Sequence, residues 1–532
     1  MAPSTRDSVV CGLLYVVSLL TLASVLRHQA GFPLDDSYIH QVIARNMAET
    51  HVVGFQPGRA SSGSSSLVWT MILTAGDILL GRVSPVWFCL ALSVCVMATI
   101  GFVLMRLTQQ DGLSGAAAWA IALAPALSGN FQWLGLIGME HLLFLALMLL
   151  LLEIWLRPLQ ARSAATPFQL FLLCFLMVLT RLEGVFLIGA VLGCWRFADR
   201  RMKNLVLPGV GTLAGLVVSL GWNWKISGQW MPASMRGRQF LYMAGYGRLD
   251  IRVRFLWDSC RRMLMTWSIG SGESGLHGGV WMLSLLLLGG LVLFGIRELM
   301  ARHARRWIVL VLCAFTVEAA YLFVLPAAGH GGRYIALPMM VCMSLASFGL
   351  HALLTTIGGN RKLVGAGVGI ACGLTLCLSQ RAWMRASEAE IEQIRTEHGV
   401  MAAWMQENLP AETFTGLHLA AFDIGRIGYQ FRGRIVDLGA LVDSHFLPYL
   451  RTARTGDYLR EHDVRYVVLP MTDQNDRLAS VWLALDPEHG VELTLVHTVC
   501  ADRGIAELAW IASGTALPCQ YLYSIRYVTP VR

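Results

Sequence analysis

Long apolar runs recur along the first 380 residues of this chain and constrain its fold more than any other feature. Hydrophobic residues make up 55% of the chain and charged residues 14%, against about 25% charged in an average soluble protein. A helix needs about 20 residues to cross a bilayer, and most of the runs approach that length. The sequence therefore predicts a polytopic α-helical membrane protein and excludes a soluble globular enzyme, a disordered chain and a disulfide-stabilised secreted module. The runs lie near residues 9–26, 67–80, 84–105, 113–128, 140–156, 168–181, 184–198, 205–223, 279–297, 307–325, 334–354 and 363–380.

The last 150 residues differ from the rest in charge and predict a separate domain. Residues 383–532 carry 13 Arg, no Lys and 19 acidic side chains, a net charge of −6, whereas residues 1–382 carry +14. Short apolar segments alternate there with polar, glycine-bearing turns, which is typical of an α/β domain. We therefore expect a transmembrane domain at 1–382 and a C-terminal soluble α/β domain at 383–532.

Four clusters of basic residues set the predicted topology. Successive clusters are separated by two apolar runs each, so all four lie on one side of the membrane. The positive-inside rule makes that side cytoplasmic. The clusters lie at 157–162, 196–203, 297–306 and 361–362.

One of the early runs cannot cross the membrane. With Arg6 in the cytoplasm, an even number of spans must precede the cluster at 157–162, but five runs do. We assign 67–80 to a juxtamembrane or re-entrant helix, because it has about 14 residues and contains Asp77. The short run at 113–128 is the alternative. About eleven transmembrane helices result, and the C-terminal domain lies outside the cytoplasm. The predicted long outer loops are residues 27–83 and 226–278.

Two adjacent carboxylates, Asp35 and Asp36, follow the first predicted span directly. Neighbouring side chains on a helix point about 100° apart, so one of the two is expected to face a given pocket. A carboxylate there could take a proton from a hydroxyl nucleophile. Alternatively, Asp35, Asp36 or Ser37 caps the helix that follows. The residue pair alone leaves both interpretations open.

Other polar residues lie on the same predicted face of the membrane, where withdrawing them from water is costly. Glu140 opens a span, Arg181 and Glu183 lie in a tight turn, and Arg333 joins two spans. Each has a structural alternative: Glu140 could cap a helix, Arg181 and Glu183 could pair with each other, and Arg333 could reach lipid headgroups. Their convergence on one layer favours a functional site.

The cysteines do not form a metal-binding pattern, and two of them predict a disulfide. The sequence has no CxxC motif and no His/Cys cluster of the kind that binds zinc. Cys500 and Cys519 share the C-terminal domain, where an oxidising compartment would let them pair. Two separately buried thiols are the alternative.

Several motifs resemble GT-C glycosyltransferases, most closely the arabinofuranosyltransferase-like branch. Four segments are similar to the first outer loop of these enzymes, four are similar to later blocks in the same order, and two are similar to the soluble tail that many members carry. They are Leu34–His40, Ala44–Ala48, Gly54–Gly58 and Ser61–Trp69; then Gly138–Glu140, Arg181–Gly184, Gly228–Pro232 and Gly332–Tyr334; and finally Asp423–Tyr429 and Asp437–Asp443.

The resemblance implies an inverting membrane glycosyltransferase. Its donor would be a polyprenyl-phosphate monosaccharide, with arabinofuranose as the sugar of the most similar branch. Its acceptor would be an extracytoplasmic glycan, lipid-linked glycan or protein. The implied location is the bacterial inner membrane, with the N-terminus in the cytoplasm and the C-terminal domain in the periplasm. Nucleic acid is excluded as a partner, because the basic 226–278 loop lies outside the cytoplasm.

The resemblance and the chemistry of the residues together assign roles. Asp36 is expected to be the general base, and Asp35 is second or supporting. Cations are expected to bind the donor phosphate, and a further group is expected to contact or orient the acceptor. Use of a divalent metal stays open, and no metal ligand is assigned. The expected phosphate-binding residues are Arg333, Arg238, Arg181 and Arg236; the expected acceptor-binding or orienting residues are Glu140, Glu183, Tyr38, His330 and Tyr334.

The alternative from another functional class is a flippase or transporter of lipid-linked sugars, with Glu318 as a proton relay. A non-catalytic scaffold is a third. Catalysis needs polar groups at the membrane surface, whereas transport needs them near mid-membrane.

The charge pattern predicts the side of the membrane on which the chain ends. A reporter that is active only in the cytoplasm should be silent when it is fused after Val531, because residues 383–532 are placed outside. Reporter activity at this position would contradict the orientation and the site assignments that depend on it.

Overall fold

The computed structural model describes most of the chain as helices, with one sheet near the C-terminus. The described residues are 5–25, 30–81, 84–112, 115–157, 163–194, 202–243, 249–267, 278–302, 304–324, 329–356, 362–410, 418–431, 434–471, 478–513 and 519–529. The predicted cytoplasmic residues 358–361 and residues 268–277 of the second predicted outer loop lie outside them.

The helices are, in chain order, α1 (Thr5–Val25), α2 (Asp35–Thr50), α3 (Leu67–Leu80), α4 (Pro85–Gln110), α5 (Ala116–Leu127), α6 (Gly129–Leu136), α7 (His141–Trp155), α8 (Thr166–Thr180), α9 (Gly184–Gly193), α10 (Val206–Ser227), α11 (Ala233–Met243), α12 (Leu249–Trp267), α13 (Gly278–Ala301), α14 (Arg305–Val324), α15 (Ala336–Thr356), α16 (Lys362–Ile394), α17 (Val400–Asn408), α18 (Gly425–Phe431), α19 (Leu447–Arg451), α20 (Thr455–Glu461) and α21 (Arg503–Ser513). The strands are β1 (Leu419–Ala421), β2 (Ile435–Asp437), β3 (Tyr466–Met471), β4 (Val491–Cys500) and β5 (Cys519–Tyr527).

The chain divides into two compact units. The first unit comprises Met1–Arg27, Cys89–Ser219 and Tyr246–Arg385. The second unit comprises His28–Phe88, Leu220–Gly245 and Ala386–Arg532. The second unit thus contains the first predicted outer loop and the start of the second, both of which the sequence analysis placed in the transmembrane domain. The rest of the second predicted loop, including α12, belongs to the first unit.

Several helices of the chain are apolar and of membrane-spanning length. Among the described residues, four helical segments are long and apolar enough to cross a bilayer, or five if one bent pair forms a single span. That pair is α6 and α7, which meet at an angle of 113°. The predicted number of about eleven spans therefore stays a prediction. The four segments are Pro85–Gln110, Val206–Ser227, Arg305–Phe323 and His330–Thr356.

Small residues allow close helix packing inside the first unit. Gly349 on α15 lies against the main chain of α13, where an added Cβ would meet the carbonyl oxygen of Leu291 at 1.8 Å. Gly295 on α13 makes the reciprocal approach to Leu345, at 2.0 Å. Such small residues at helix interfaces are typical of membrane bundles, because they let backbones approach closely.

The second unit is built on a five-stranded sheet with the strand order β2-β1-β3-β5-β4. Strand β1 pairs in parallel with β2 and β3, whereas β5 pairs antiparallel with β3 and β4. The short strands β1 and β2 are fully buried, as expected for the parallel part of a sheet that is covered on both faces. This agrees with the predicted α/β character of the C-terminal residues.

The first predicted outer loop shares a hydrophobic core with this sheet. Ile43 on α2 and Phe55 after it pack in one buried cluster with Ile427 on α18 and with Ile435 on β2. The side chain of Gln56 also accepts a hydrogen bond from the backbone N–H of Ile435 at 3.2 Å, and thus binds the edge strand of the sheet. The loop is therefore a structural part of the second unit.

The apolar run at 67–80 forms α3, a helix of 14 residues that packs against α2. The hydroxyl of Thr74 donates to the carbonyl oxygen of Ala44 on α2 at 3.5 Å. One face of α3 is buried, whereas Ile78 and Leu79 are 64% and 78% exposed. A helix of this length is shorter than a span needs.

The structure contains the predicted disulfide. Cys500 at the end of β4 is bonded to Cys519 at the start of β5, and the two residues are partners in the antiparallel ladder. We expect that reduction of the unfolded protein exposes two more thiols per chain to a labelling reagent. Equal labelling with and without reductant would contradict the bridge.

Candidate active site

Asp35 begins α2 but does not cap it. The N-cap position is Leu34, and no side chain caps the helix there. The Asp35 carboxylate instead accepts hydrogen bonds from the backbone N–H groups of Gly425 at 2.8 Å and Arg426 at 2.7 Å. It also contacts Nδ1 of His398 at 3.1 Å. The predicted capping alternative is therefore wrong for α2, because this carboxylate binds the start of α18.

His398 lies in a turn of π-helix, Arg395–Gly399, and is 8% exposed. Burial lowers the pKa of its imidazole, but the hydrogen bond and the negative charge of Asp35 raise it, as do the carboxylates of Asp423 and Glu397, and the pKa rises to about 9. The ring is therefore positively charged at neutral pH. The amide of Gln520 on β5 contacts Nε2 at 2.9 Å.

Asp36 forms an ion pair with Arg238 of α11. The Asp36 side chain is 21% exposed and that of Arg238 is 16% exposed, so both are partly exposed to solvent. The two residues were predicted as base and phosphate ligand, respectively, and the structure brings them into contact within the second unit.

Two further contacts hold α11 in place. Gly237 lies against the turn after β2, where an added Cβ would meet the carbonyl oxygen of Ala440 at 2.3 Å. The buried carboxylate of Asp437 shapes that turn by accepting hydrogen bonds from the backbone N–H groups of Gly439 at 2.9 Å and Val442 at 2.6 Å. At the other end, the carbonyl oxygen of Ser62 accepts from Ala233 at 3.1 Å. One of these contacts involves the Ser61–Trp69 motif and the other the Asp437–Asp443 motif.

Tyr38 and Arg236, two more of the predicted site residues, belong to the second unit but do not form part of the Asp36–Arg238 ion pair. Tyr38 is buried, its hydroxyl accepts from the backbone N–H of Phe32 at 3.3 Å, and Arg426 lies 5.1 Å above its ring. Arg236 is half-buried on α11, and burial together with the charge of Arg451 lowers the pKa of its guanidinium. Their predicted roles stay predictions.

In the first unit, Arg181 is the centre of a buried ionic cluster. It donates to Glu140 at 2.7 Å and to Glu183 at 2.8 Å, and Nη1 contacts the ring of His141 at 3.1 Å. The hydroxyl of Tyr321 donates to Glu183 at 3.1 Å. Glu140 is fully buried and Arg181 is 7% exposed. The two glutamates thus neutralise Arg181, and their predicted contact with an acceptor stays a prediction.

Arg333 and Tyr334 lie beside this cluster. The Tyr334 ring lies 5.4 Å from the guanidinium of Arg181 and 5.2 Å from that of Arg333. The preceding turn needs glycine, because Gly331 and Gly332 have φ of 60° and 69°, in the left-handed region. His330 in the same turn is half-buried.

A small cavity of about 30 Å³ opens beside these residues in the first unit. One part of its wall is polar and carries charge, and the other is apolar. The polar lining is His141, Arg181, Tyr321, Arg333 and Tyr334; the apolar lining includes Phe144, Leu145, Met148, Leu187 and Val317.

No metal site can be assigned to the described part of the chain. Within it, no group of three or more His, Cys, Asp or Glu side chains is placed to hold a metal ion. The acidic pair at the start of α2 is directed to separate protein partners, with Asp35 at His398 and Asp36 at Arg238.

The sequence analysis missed His398, Gln520, Tyr321 and His141. His398 and Asp35 are 363 residues apart in the chain, so no local pattern connects them. Tyr321 lies inside an apolar run, where a tyrosine gives no separate signal. His141 directly follows Glu140 and could have been noted as part of that block.

Comparison with known proteins supports the fold. A family described as a domain of unknown function, DUF8728, matches residues 388–512. No curated protein matches the chain. The crystal structure of ArnT from Cupriavidus metallidurans, solved with undecaprenyl phosphate bound, is similar over 98% of this chain and 98% of that one, with a TM-score of 0.54 and 12% identity. The chain has a GT-C-like fold.

A second solved structure, the arabinofuranosyltransferase AftD from mycobacteria, has a TM-score of 0.48 and 15% identity over 98% of this chain and 42% of that chain. The GT-C-like fold, the apolar helices and the sheet agree with the predicted fold class. The apolar helices among the described residues agree with the predicted multi-pass membrane protein.

The buried Arg181 cluster predicts a large loss of stability when its cation is removed. Arg181→Met leaves the carboxylates of Glu140 and Glu183 without their counter-charge, which typically costs about 3–5 kcal/mol. We expect a clear fall in the thermal unfolding midpoint of the purified protein.

Arg302→Met is the matched control, since Arg302 pairs with Glu298 and is 40% exposed. Exposed ion pairs contribute about 0–1 kcal/mol, so this variant should unfold close to the wild-type temperature. Similar midpoints for the two variants would contradict the importance of the buried cluster.

Proposed function

We propose that this protein is an inverting membrane glycosyltransferase that transfers a monosaccharide from a polyprenyl-phosphate donor to an acceptor outside the cytoplasm. The observation that carries the proposal is the contact between Asp36 and Arg238 on a GT-C-like fold. This contact brings together the carboxylate of Asp36, which can accept a proton, and the guanidinium of Arg238, which can stabilise a phosphate. Both groups are needed for displacement of a sugar from a lipid phosphate.

The proposed reaction is a single displacement. The acceptor oxygen attacks the anomeric carbon from the face opposite the phosphate, and the bond between that carbon and the phosphate oxygen breaks. The proton of the acceptor hydroxyl passes to the carboxylate of Asp36. The electron pair of the broken bond stays on the leaving polyprenyl phosphate. One inversion at the anomeric carbon follows from one displacement.

Arg238 is the proposed partner of the leaving phosphate. The phosphate gains one negative charge as the bond breaks, so a nearby guanidinium stabilises the transition state more than the bound donor. A guanidinium has five N–H donors in a planar fork and can therefore bind a carboxylate and a phosphate oxygen together. Arg236 lies on the same helix, two positions earlier.

The remaining assignments are also proposals. Arg181 and Arg333 are proposed to bind the donor phosphate, and the cavity that they line in the first unit combines charge with an apolar wall. Glu140 and Glu183 would act by holding Arg181. Tyr38, His330 and Tyr334 are the remaining proposed orienting residues.

The finer points of the proposal come from the sequence resemblance. Arabinofuranose is the proposed sugar, and a cell-envelope glycan, lipid-linked glycan or protein is the proposed acceptor. The proposed location is the bacterial inner membrane, with the C-terminal residues in the periplasm. The transporter alternative is not favoured by the comparisons, and Glu318 carries no proposed role.

The proposed base gives a direct kinetic prediction. Asp36→Asn keeps the size of the side chain but removes its ability to accept a proton, so kcat should fall by about 10²–10⁴-fold. The measurement is the release of polyprenyl phosphate by purified protein in liposomes that contain a polyprenyl-phosphate sugar and an acceptor.

The matched control is Asp457→Asn. Asp457 also pairs with an arginine of the second unit, Arg454 at 2.6 Å, but it is 40% exposed and distant in sequence from the motifs. It should retain wild-type turnover. Near-normal turnover by folded Asp36→Asn protein would contradict the assignment of the base.

A further inference from the structure

The carboxylate of Asp35 lies beyond the carboxyl end of strand β1. Open sheets of parallel strands usually bind a ligand at this position. In open sheets of parallel strands, ligands bind outside the carboxyl ends of the strands, where the strand order reverses. Here β1 lies between β2 and β3, and the chain runs from β1 to β2 on one side and then to β3 on the other. Gly425 and Arg426 begin α18, the helix after β1, and bind Asp35.

Both oxygen atoms of Asp35 are engaged by the protein. Oδ2 accepts from the backbone N–H of Gly425, and Oδ1 accepts from that of Arg426 and contacts Nδ1 of His398. Hydrogen bonds to an ionised carboxylate are shorter and stronger than those between neutral groups. An oxygen atom held in this way is poorly placed to take a proton from a substrate.

The contact requires a glycine at 425. An added Cβ would lie 2.0 Å from the carbonyl oxygen of Asp35 and 2.6 Å from Oδ2. Real Cβ atoms do not approach backbone so closely, so any larger residue must push the start of α2 away. Gly425, the first of the two glycines in the Asp423–Tyr429 motif, is thus explained by a contact with Asp35 in the first predicted outer loop.

His398 adds a positive charge on the other side of the carboxylate. It is buried, and Gln520 of β5 contacts its second ring nitrogen. Asp35 from α2, Asp423 from the loop after β1 and Glu397 from the same turn all favour its charged form. The start of α2 is therefore bound to two separate parts of the C-terminal segment, the turn that contains His398 and the start of α18.

We infer that Asp35 is a positioning residue: it fixes the start of α2 against the C-terminal residues and thereby directs Asp36 to Arg238. Successive side chains on a helix point about 100° apart, so fixing one of them sets the direction of the next. The inference rests on the proposed function and gives the C-terminal segment a role in it, which is to hold the proposed base in place.

The test compares substitutions of the two residues that form the contact, Asp35 and Gly425. Asp35→Ala removes the carboxylate, and Gly425→Ala leaves Asp35 intact but displaces it. Each should lower kcat by about 10²-fold, the size of effect that a misplacement of about 1 Å produces, with little change in the KM for the donor. Asp35→Asn should lose less than Asp35→Ala, because its amide oxygen still accepts from a backbone N–H.

Gly399→Ala is the matched control, because its added Cβ would come no closer than 3.6 Å to a neighbouring atom. It should retain wild-type turnover. The ascending limb of the kcat–pH profile should persist in all three test variants, since Asp36 is intact in each.

Hydrogen–deuterium exchange of residues 422–431 gives a readout that does not depend on activity. The amides of Gly425 and Arg426 should exchange faster in Asp35→Ala and Gly425→Ala than in the wild type, and should be unchanged in Asp36→Ala. Faster exchange in an otherwise folded protein separates the loss of this contact from general unfolding.

Three outcomes would overturn the inference. Full activity of Gly425→Ala would show that the contact does not position the base. Equal loss in Asp35→Asn and Asp35→Ala, with the ascending limb abolished, would make Asp35 itself the base. Unchanged exchange in Asp35→Ala would show that the contact does not protect α18. Faster exchange together with a wild-type protein that is inactive on every donor would instead overturn the proposed function and leave the contact standing.

Discussion

A charged side chain that is withdrawn from water costs several kcal/mol unless opposite charges and hydrogen bonds replace the lost solvent. Three of the residues with proposed roles, Arg181, Asp35 and Asp36, meet this requirement with specific partners. Arg181 is neutralised by two glutamates in the first unit, and Asp35 is bound by His398 and two backbone amides in the second. Asp36 has Arg238 as its partner and stays partly exposed. This difference in surroundings is the reason that Asp36 is proposed as the base and Asp35 as a positioning residue.

The first predicted outer loop is part of the second unit and packs against its sheet. The loop contributes Ile43 and Phe55 to a core that also contains Ile427, and its Gln56 binds an edge strand. Hydrophobic burial and backbone hydrogen bonding therefore hold it to residues almost 400 positions away. A proposed active site on such a loop depends on the C-terminal residues, even if none of those residues touches a substrate.

The sequence was informative about local chemistry and much less so about long-range contacts. The acidic pair, the Cys500–Cys519 bridge and the α/β character could be predicted because each depends on residue types within short segments. The partner of Asp35 could not, since His398 lies within a helical segment 363 residues away in the chain. The domain boundary at 382/383 was predicted from composition. Composition indicates whether a segment contacts lipid or water, but not which segments pack together. For the same reason, the number of spans remains a prediction from apolar length and charge.

We propose that this protein, on its GT-C-like fold, transfers a sugar from a polyprenyl phosphate with inversion. The most direct measurement is the anomeric configuration of the product formed by the purified wild-type protein in liposomes, determined by NMR for a panel of polyprenyl-phosphate sugars with defined anomers. We expect that one donor yields polyprenyl phosphate and a glycoside whose anomeric configuration is opposite to that of the donor sugar. A product with retained configuration, or no release of polyprenyl phosphate from any donor, would contradict it.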